Sequence, residues 1–123
     1  WTPALQAIRG RILEGYTADG LCPAPTEQVL RAFGREAPAA RQVLKALTAE
    51  GLLLPLSGEY LVSREAFDAA LRKLRRAFPR GFTLAQARDT LGVSRRYALL
   101  LLECCDGAGL TRREGDRRQF VTA

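Results

Sequence analysis

Shifted against itself by 58 residues, the sequence lines up Leu13 with Leu71, Gln28 with Gln86, Gly34 with Gly92, Leu44 with Leu102 and Gly51 with Gly109. Three of these five pairs sit inside helical patterns and two are helix-stopping glycines, a coincidence that chance does not easily give. A chain of 123 residues holds one ordinary domain or two very small ones, and the offset selects the second. We read a tandem repeat, with one unit over 1–62 and a second over 63–123.

Each unit shows three helices and a hairpin. In the first, Leu5, Ile8, Ile12, Leu13 and Tyr16 form a helical stripe from Pro3, and Pro23 and Pro25 then break it. A short helix follows from Thr26, capped by its own hydroxyl, with Glu27 in the first turn and an end at Gly34. A third helix runs from Pro38 through Val43, Leu44 and Leu47 to Gly51. Leu52–Leu56 and Tyr60–Val62 flank Ser57-Gly58-Glu59 as a hairpin. From Ser63 the pattern restarts with almost no linker. Phe67, Ala70, Leu71 and Leu74 make a stripe, Pro79-Arg80-Gly81 a break, and Thr83 caps a helix to Leu91. Ser94 then caps a helix whose apolar face is Ala98, Leu101, Leu102 and Cys105, stopped by Gly107 and Gly109, before a hairpin turning at Glu114-Gly115-Asp116. The expected class is mainly α with small β-hairpins (α+β): tandem winged helix-turn-helix domains.

The same frame carries different charge in its two copies. The net charge is +6; the first unit holds six Lys/Arg and six Asp/Glu, the second thirteen and seven, so all the excess lies in the second. Where the second unit has Ser94-Arg95-Arg96-Tyr97, the first has Glu36-Ala37-Pro38-Ala39, and its hairpin is leucine-rich where the second has Arg112, Arg113, Arg117 and Arg118. Arg95 and Arg96 occupy a helical first turn, where the macrodipole disfavours cations by roughly 0.3–1 kcal/mol each at an exposed site. A phosphate at that helix end reverses the sign, because backbone N–H groups and both guanidinium groups then point at one anion. We therefore assign RNA binding to Ser94, Arg95, Arg96, Tyr97, Arg112, Arg113, Arg117 and Arg118. Tyr97 stands where it could stack on a base or close the core edge. Arg72, Lys73, Arg75 and Arg76 are read first as a solvated helix face. The first unit is a spacer or protein-docking arm.

The helix body separates kinds of nucleic acid. Reading a DNA major groove needs polar side chains over several exposed turns, and Ala98 to Leu102 offers none. Readers confined to a helix tip and a wing suit the backbone and splayed bases of a structured RNA. A DNA-binding regulator, with a symmetric dimer, and a protein-interaction module remain alternatives. No apolar run reaches membrane-spanning length and no secretory pattern is present. Cys22, Cys104 and Cys105 are an odd count without any His, so they read as reduced thiols of a cytoplasmic protein and not as metal ligands. No phosphate loop and no carboxylate pair in an apolar setting point to catalysis; a non-catalytic, monomeric fragment of a longer protein is expected, a start at Trp1 and the lack of Met agreeing with this.

The stretch Phe82-Thr83-Leu84-Ala85-Gln86-Ala87-Arg88-Asp89-Thr90-Leu91-Gly92-Val93-Ser94-Arg95-Arg96-Tyr97-Ala98-Leu99, with Leu101-Leu102-Glu103, Asp106, Gly109, Thr111-Arg112-Arg113 and Gly115-Asp116-Arg117-Arg118, resembles the C-terminal winged-helix domain of the bacterial selenocysteine-specific elongation factor. The first unit fits that family's preceding winged helix by pattern. The resemblance implies a parent translational GTPase, using GTP and magnesium, that delivers selenocysteinyl-tRNA to the ribosome. It also implies that this part binds the selenocysteine insertion (SECIS) hairpin of the mRNA, with Arg95, Arg96 and Tyr97 at the helix start and Arg112, Arg113, Arg117 and Arg118 in the wing meeting the loop. The chain departs from the family where Arg96 stands for the usual Lys, Leu100 for Pro, and Cys104-Cys105 for an aromatic-Leu pair. Leu100 falls opposite the core face and is expected to be exposed.

Overall fold

The computed structural model describes residues 1–121 and divides into two compact units, Trp1–Ala66 and Phe67–Ala123. In the first, helix α1 (Pro3–Asp19) starts on Thr2, whose Oγ1 accepts from the Leu5 N–H at 3.2 Å. It buries Ile8, Ile12 and Tyr16, one stripe at a four-residue repeat. Helix α2 (Thr26–Arg31) departs from the expected self-capped start. Its N-cap is Pro25, no side chain caps it, and the Thr26 N–H donates to the Glu59 carbonyl of the hairpin at 2.9 Å. It also stops short of Gly34, which instead opens a 3-10 turn, Gly34–Glu36, leading into α3 (Ala37–Ala49). Helix α3 buries Ala40, Val43, Leu44 and Leu47 against α1. Strands β1 (Leu53–Ser57) and β2 (Tyr60–Ser63) close the unit as an antiparallel hairpin.

Helix α4 (Arg64–Ala77) contains the division between the units, which falls four residues beyond the boundary drawn at Val62. Its first turn is bonded to the first unit: the Arg64 N–H donates to the Leu52 carbonyl at 3.0 Å and the Ala66 N–H to Ser63 Oγ at 3.2 Å. The second unit continues with β3 (Phe82–Thr83), α5 (Leu84–Leu91), α6 (Arg95–Gly107), β4 (Thr111–Glu114) and β5 (Arg117–Phe120). Its core gathers Leu74, Phe82, Ala87 and Leu102, with Phe78 and Phe120 packed against them. The Phe82 and Phe120 rings lie 5.4 Å apart at 47°, a tilted arrangement that aromatic pairs favour.

The two units keep the 58-residue frame closely. Helices α3 and α6 both have 13 residues and match at each end; α2 and α5 start in register, as do β1 and β4. The glycine stops match as well, with Gly51 at φ 82 and Gly109 at φ 75, the left-handed conformation that glycine adopts without a Cβ penalty. The frame then slips by one residue, because the register of the first hairpin jumps between Pro55 and Ser57, leaving Leu56 as an extra, buried residue.

The sheets differ in number too. The second unit has three strands in the order β3-β5-β4, with Phe82 paired to Arg118 and Thr83 to Arg117. Position 25 of the first unit corresponds to Thr83 and is proline, and among the described residues the sheet there stays two-stranded. The Thr26-to-Glu59 hydrogen bond is what remains there of the third strand. Close approach in the second unit also depends on Gly81, at φ 103: a Cβ added there would lie 2.7 Å from the Arg118 carbonyl oxygen.

Candidate nucleic-acid interface

Ser94 places the tip of the recognition helix. Extended at φ −69, ψ 160, it accepts a hydrogen bond from the Tyr97 N–H on Oγ at 3.3 Å and so starts α6 as expected. Arg95 and Arg96 follow on the exposed side, and the first turn contains no acidic residue. Tyr97 is half-buried. Leu100, expected to be exposed, is half-buried instead; a helical leucine leans over the turn N-terminal to it, where Arg96 and Tyr97 stand.

Strands β4 and β5 pair Glu114 with Arg117, Arg113 with Arg118, Arg112 with Gln119 and Thr111 with Phe120. Because side chains alternate across a pleat, this register divides the wing arginines between two faces. Arg112 and Arg117 share the outer face with Glu114; Arg113 and Arg118 share the face that carries Thr111 toward α6. On the outer face, Arg112 Nη2 meets Glu114 Oε1 at 2.6 Å, with 68% and 49% of the two side chains exposed. Such exposed pairs contribute roughly 0–1 kcal/mol, so a phosphate can displace Glu114 at small cost. Arg113 Nε donates to the Gly115 carbonyl at 3.0 Å, across the turn. Arg117 is exposed and has no ion pair within the described residues.

Arg118 corrects the expectation of a fourth wing contact. It is 4% exposed, with Nε 3.1 Å and Nη2 3.0 Å from Asp106 Oδ2. The same carboxylate accepts from Thr111 Oγ1 at 2.6 Å on Oδ1. The guanidinium thus faces the end of α6 and not solvent, because β5 pairs β3 as well as β4 and turns its inner face to the helix. Sequence reasoning missed Asp106 and Thr111 as residues that shape the site. A signal existed in the sequence: Asp106 lies in the last turn of α6, where the macrodipole disfavours a carboxylate unless a cation compensates.

The remaining groups are quiet. Burial pushes the Cys105 thiol up to about 12 and also raises Cys104 and Cys22; Cys22 is exposed, Cys104 half-buried and Cys105 buried. Among the described residues no cluster of His, Cys, Asp and Glu could hold a metal ion, and no helix is long and apolar enough to cross a membrane. The first unit has, beside α2, α3 and its own hairpin, a cleft of about 810 Å³ lined by apolar Leu44, Pro55, Tyr60 and Leu61 and by charged Glu27, Arg41, Lys45 and Glu59.

A family model described as "Elongation factor SelB, winged helix" matches residues 76–120, the stretch from the end of α4 through β5. A selenocysteine-specific elongation factor from Desulfomicrobium baculatum is 30% identical over 107 residues, covering 85% of this chain. The chain belongs to the SelB family. It spans 17% of the length of that relative. Two SelB-type structures share its fold: a crystal structure of a bacterial selenocysteine-specific elongation factor, EF-Sec, and the mRNA-binding domain of E. coli SelB in complex with SECIS RNA. The first has a TM-score of 0.78 at 20% identity, over 99% of this chain and 20% of that one. The second has a TM-score of 0.72 at 22% identity, over 99% of this chain and all of that one. The SelB family match therefore falls on the unit that carries the arginine tip and wing.

Proposed function

We propose that this chain is the mRNA-binding part of a SelB-type elongation factor and holds a SECIS hairpin through Ser94, Arg95, Arg96 and Tyr97 at the start of α6 and Arg112, Arg113 and Arg117 in the wing. The observation that carries the proposal is the placement of exposed arginines at the tip and wing of one repeat, on a frame whose sister unit lacks them. The E. coli SelB domain with the same fold was solved on SECIS RNA, which supports RNA over duplex DNA. So does the apolar body of α6. Backbone phosphates meet the guanidinium groups and the N–H groups of the helix start, and Tyr97 offers its ring to an unstacked base. This piece performs no chemistry of its own. GTP, magnesium, selenocysteinyl-tRNA and the ribosome belong to the parent protein, a monomer working in the cytoplasm.

The first unit, 1–62 in its sequence pattern, acts as a spacer or protein-docking arm; its balanced charge and its cleft support that role over RNA contact. A competition titration tests the whole proposal: labelled SECIS hairpins against duplex DNA of equal charge, with Arg95→Ala and Arg117→Ala alongside. Preference for the hairpin, weakened in both variants, is expected. Equal affinity for the two nucleic acids sinks the RNA assignment, and undiminished binding by both variants sinks the residue assignment.

A further inference from the structure

Resting on the RNA-binding proposal above, we infer that Asp106 and Arg118 are positioning residues: together with Thr111 they lock the wing to the end of α6, so that the wing and the helix tip can grip one RNA together. Neither residue touches RNA in this assignment.

Three observations converge. The contact is built, with Arg118 at 5% side-chain exposure making two hydrogen bonds to one carboxylate oxygen at 3.1 and 3.0 Å, and Thr111 closing the other at 2.6 Å. It joins the elements that must act in concert, since Asp106 is on α6, Thr111 begins β4 and Arg118 lies on β5 directly opposite Arg113. Finally, it is absent where the wing carries no cations. At the matching places the first unit has Thr48 and Leu53, and β2, Tyr60-Leu61-Val62-Ser63, contains no charged residue. Scaffold stability alone does not require the pair, because the sister unit forms the same helix and hairpin with apolar and hydroxyl groups. The lock and the charged wing occur together.

Geometry explains why a lock matters. A wing arginine that swings freely must give up that freedom on binding, and a moving strand gives up more. A buried, bidentate, charge-assisted contact sets the strand direction beforehand. Gly81 adds to it, since only a residue without Cβ fits against the Arg118 carbonyl.

The test replaces the ion pair by an apolar pair, Asp106→Leu with Arg118→Met, a change of a kind that buried ion pairs often tolerate without unfolding. The hairpin RNA bound best by the natural chain is titrated against the natural protein and the double variant at several salt concentrations. Amide relaxation of Arg113 to Asp116 is measured in both without RNA. We expect a folded double variant with more mobile wing amides and weaker binding. Its slope of log affinity against log salt should fall by about 0.7–0.9 for each phosphate that the loosened wing no longer holds. Adding Arg113→Ala and Arg117→Ala to it should then cost little more. A folded double variant with unchanged wing relaxation, affinity and slope overturns the lock. If the double variant does not fold, Asp106→Asn serves in its place under the same criteria. Loosened wing amides in a protein that binds no hairpin would leave the lock standing as a wing-setting contact and overturn its coupling to RNA along with the RNA assignment.

Discussion

Removing the Arg118 guanidinium leaves the Asp106 carboxylate at the negative end of α6 with only Thr111 to satisfy it. Arg118→Ala is therefore expected to lower the unfolding free energy by about 3 kcal/mol, the lower end for breaking a buried pair, since Asp106 keeps 27% side-chain exposure. Denaturant titration measures it. Gly81→Ala should cost about 1–3 kcal/mol, because it combines an unfavourable φ with a clash against the Arg118 backbone; an unaltered melting curve would refute the close approach. Cys105 gives a pH dependence. Its thiol ionises near 9.0 when unfolded and is pushed up to about 12 in the folded protein. Between those values the folded chain holds the extra proton, so the stability present below pH 9 declines as the pH rises toward 12. Cys105→Ala should flatten that decline in a series of urea midpoints.

Among the elements, α6 and α5 were legible because their signals are local. Ser94 caps the first and Thr83 the second, where the Thr83 N–H in turn donates to Gln86 Oε1 at 2.8 Å. Ser94→Ala should cost about 1 kcal/mol and also weaken hairpin binding, whereas Thr83→Ala should cost a similar amount and leave binding nearly unchanged; comparing melting with RNA titration separates the two. What the sequence hid depends on distant partners. Strand β3 is two residues long and exists only because β5 pairs with it. Thr26 has the right chemistry for a cap, yet its backbone is claimed by Glu59. Arg118 is one of four similar arginines in sequence, and only the pleat and a carboxylate twelve residues earlier show that it points inward. The tip of the site was readable from spacing; the division of the wing into two faces was not.

Across the whole molecule, charge is partitioned more sharply than structure. Thirteen basic residues against seven acidic ones lie beyond Val62, while the first 62 residues balance. Affinity for RNA should accordingly fall with salt at roughly 0.7–0.9 log units per log unit for each phosphate contacted. Removing Arg95, Arg113 or Arg117 should lessen that slope, and removing Arg31 or Arg35 from the first unit should leave it alone. Equal effects from both sets would refute the partition.

Sister units in tandem also face a hazard during folding, since a hairpin from one copy can dock on the helices of the other. The extra Leu56 and the buried Arg118 guard against that error. A second-unit hairpin laid on α3 would bring Arg118 to a surface where Thr48 replaces Asp106, burying a charge without its counter-ion. A first-unit hairpin laid on α6 would leave the Asp106 carboxylate unanswered and carry one residue too many. Either exchange of hairpins between the copies of this scaffold is thus penalised by the ion pair it would break.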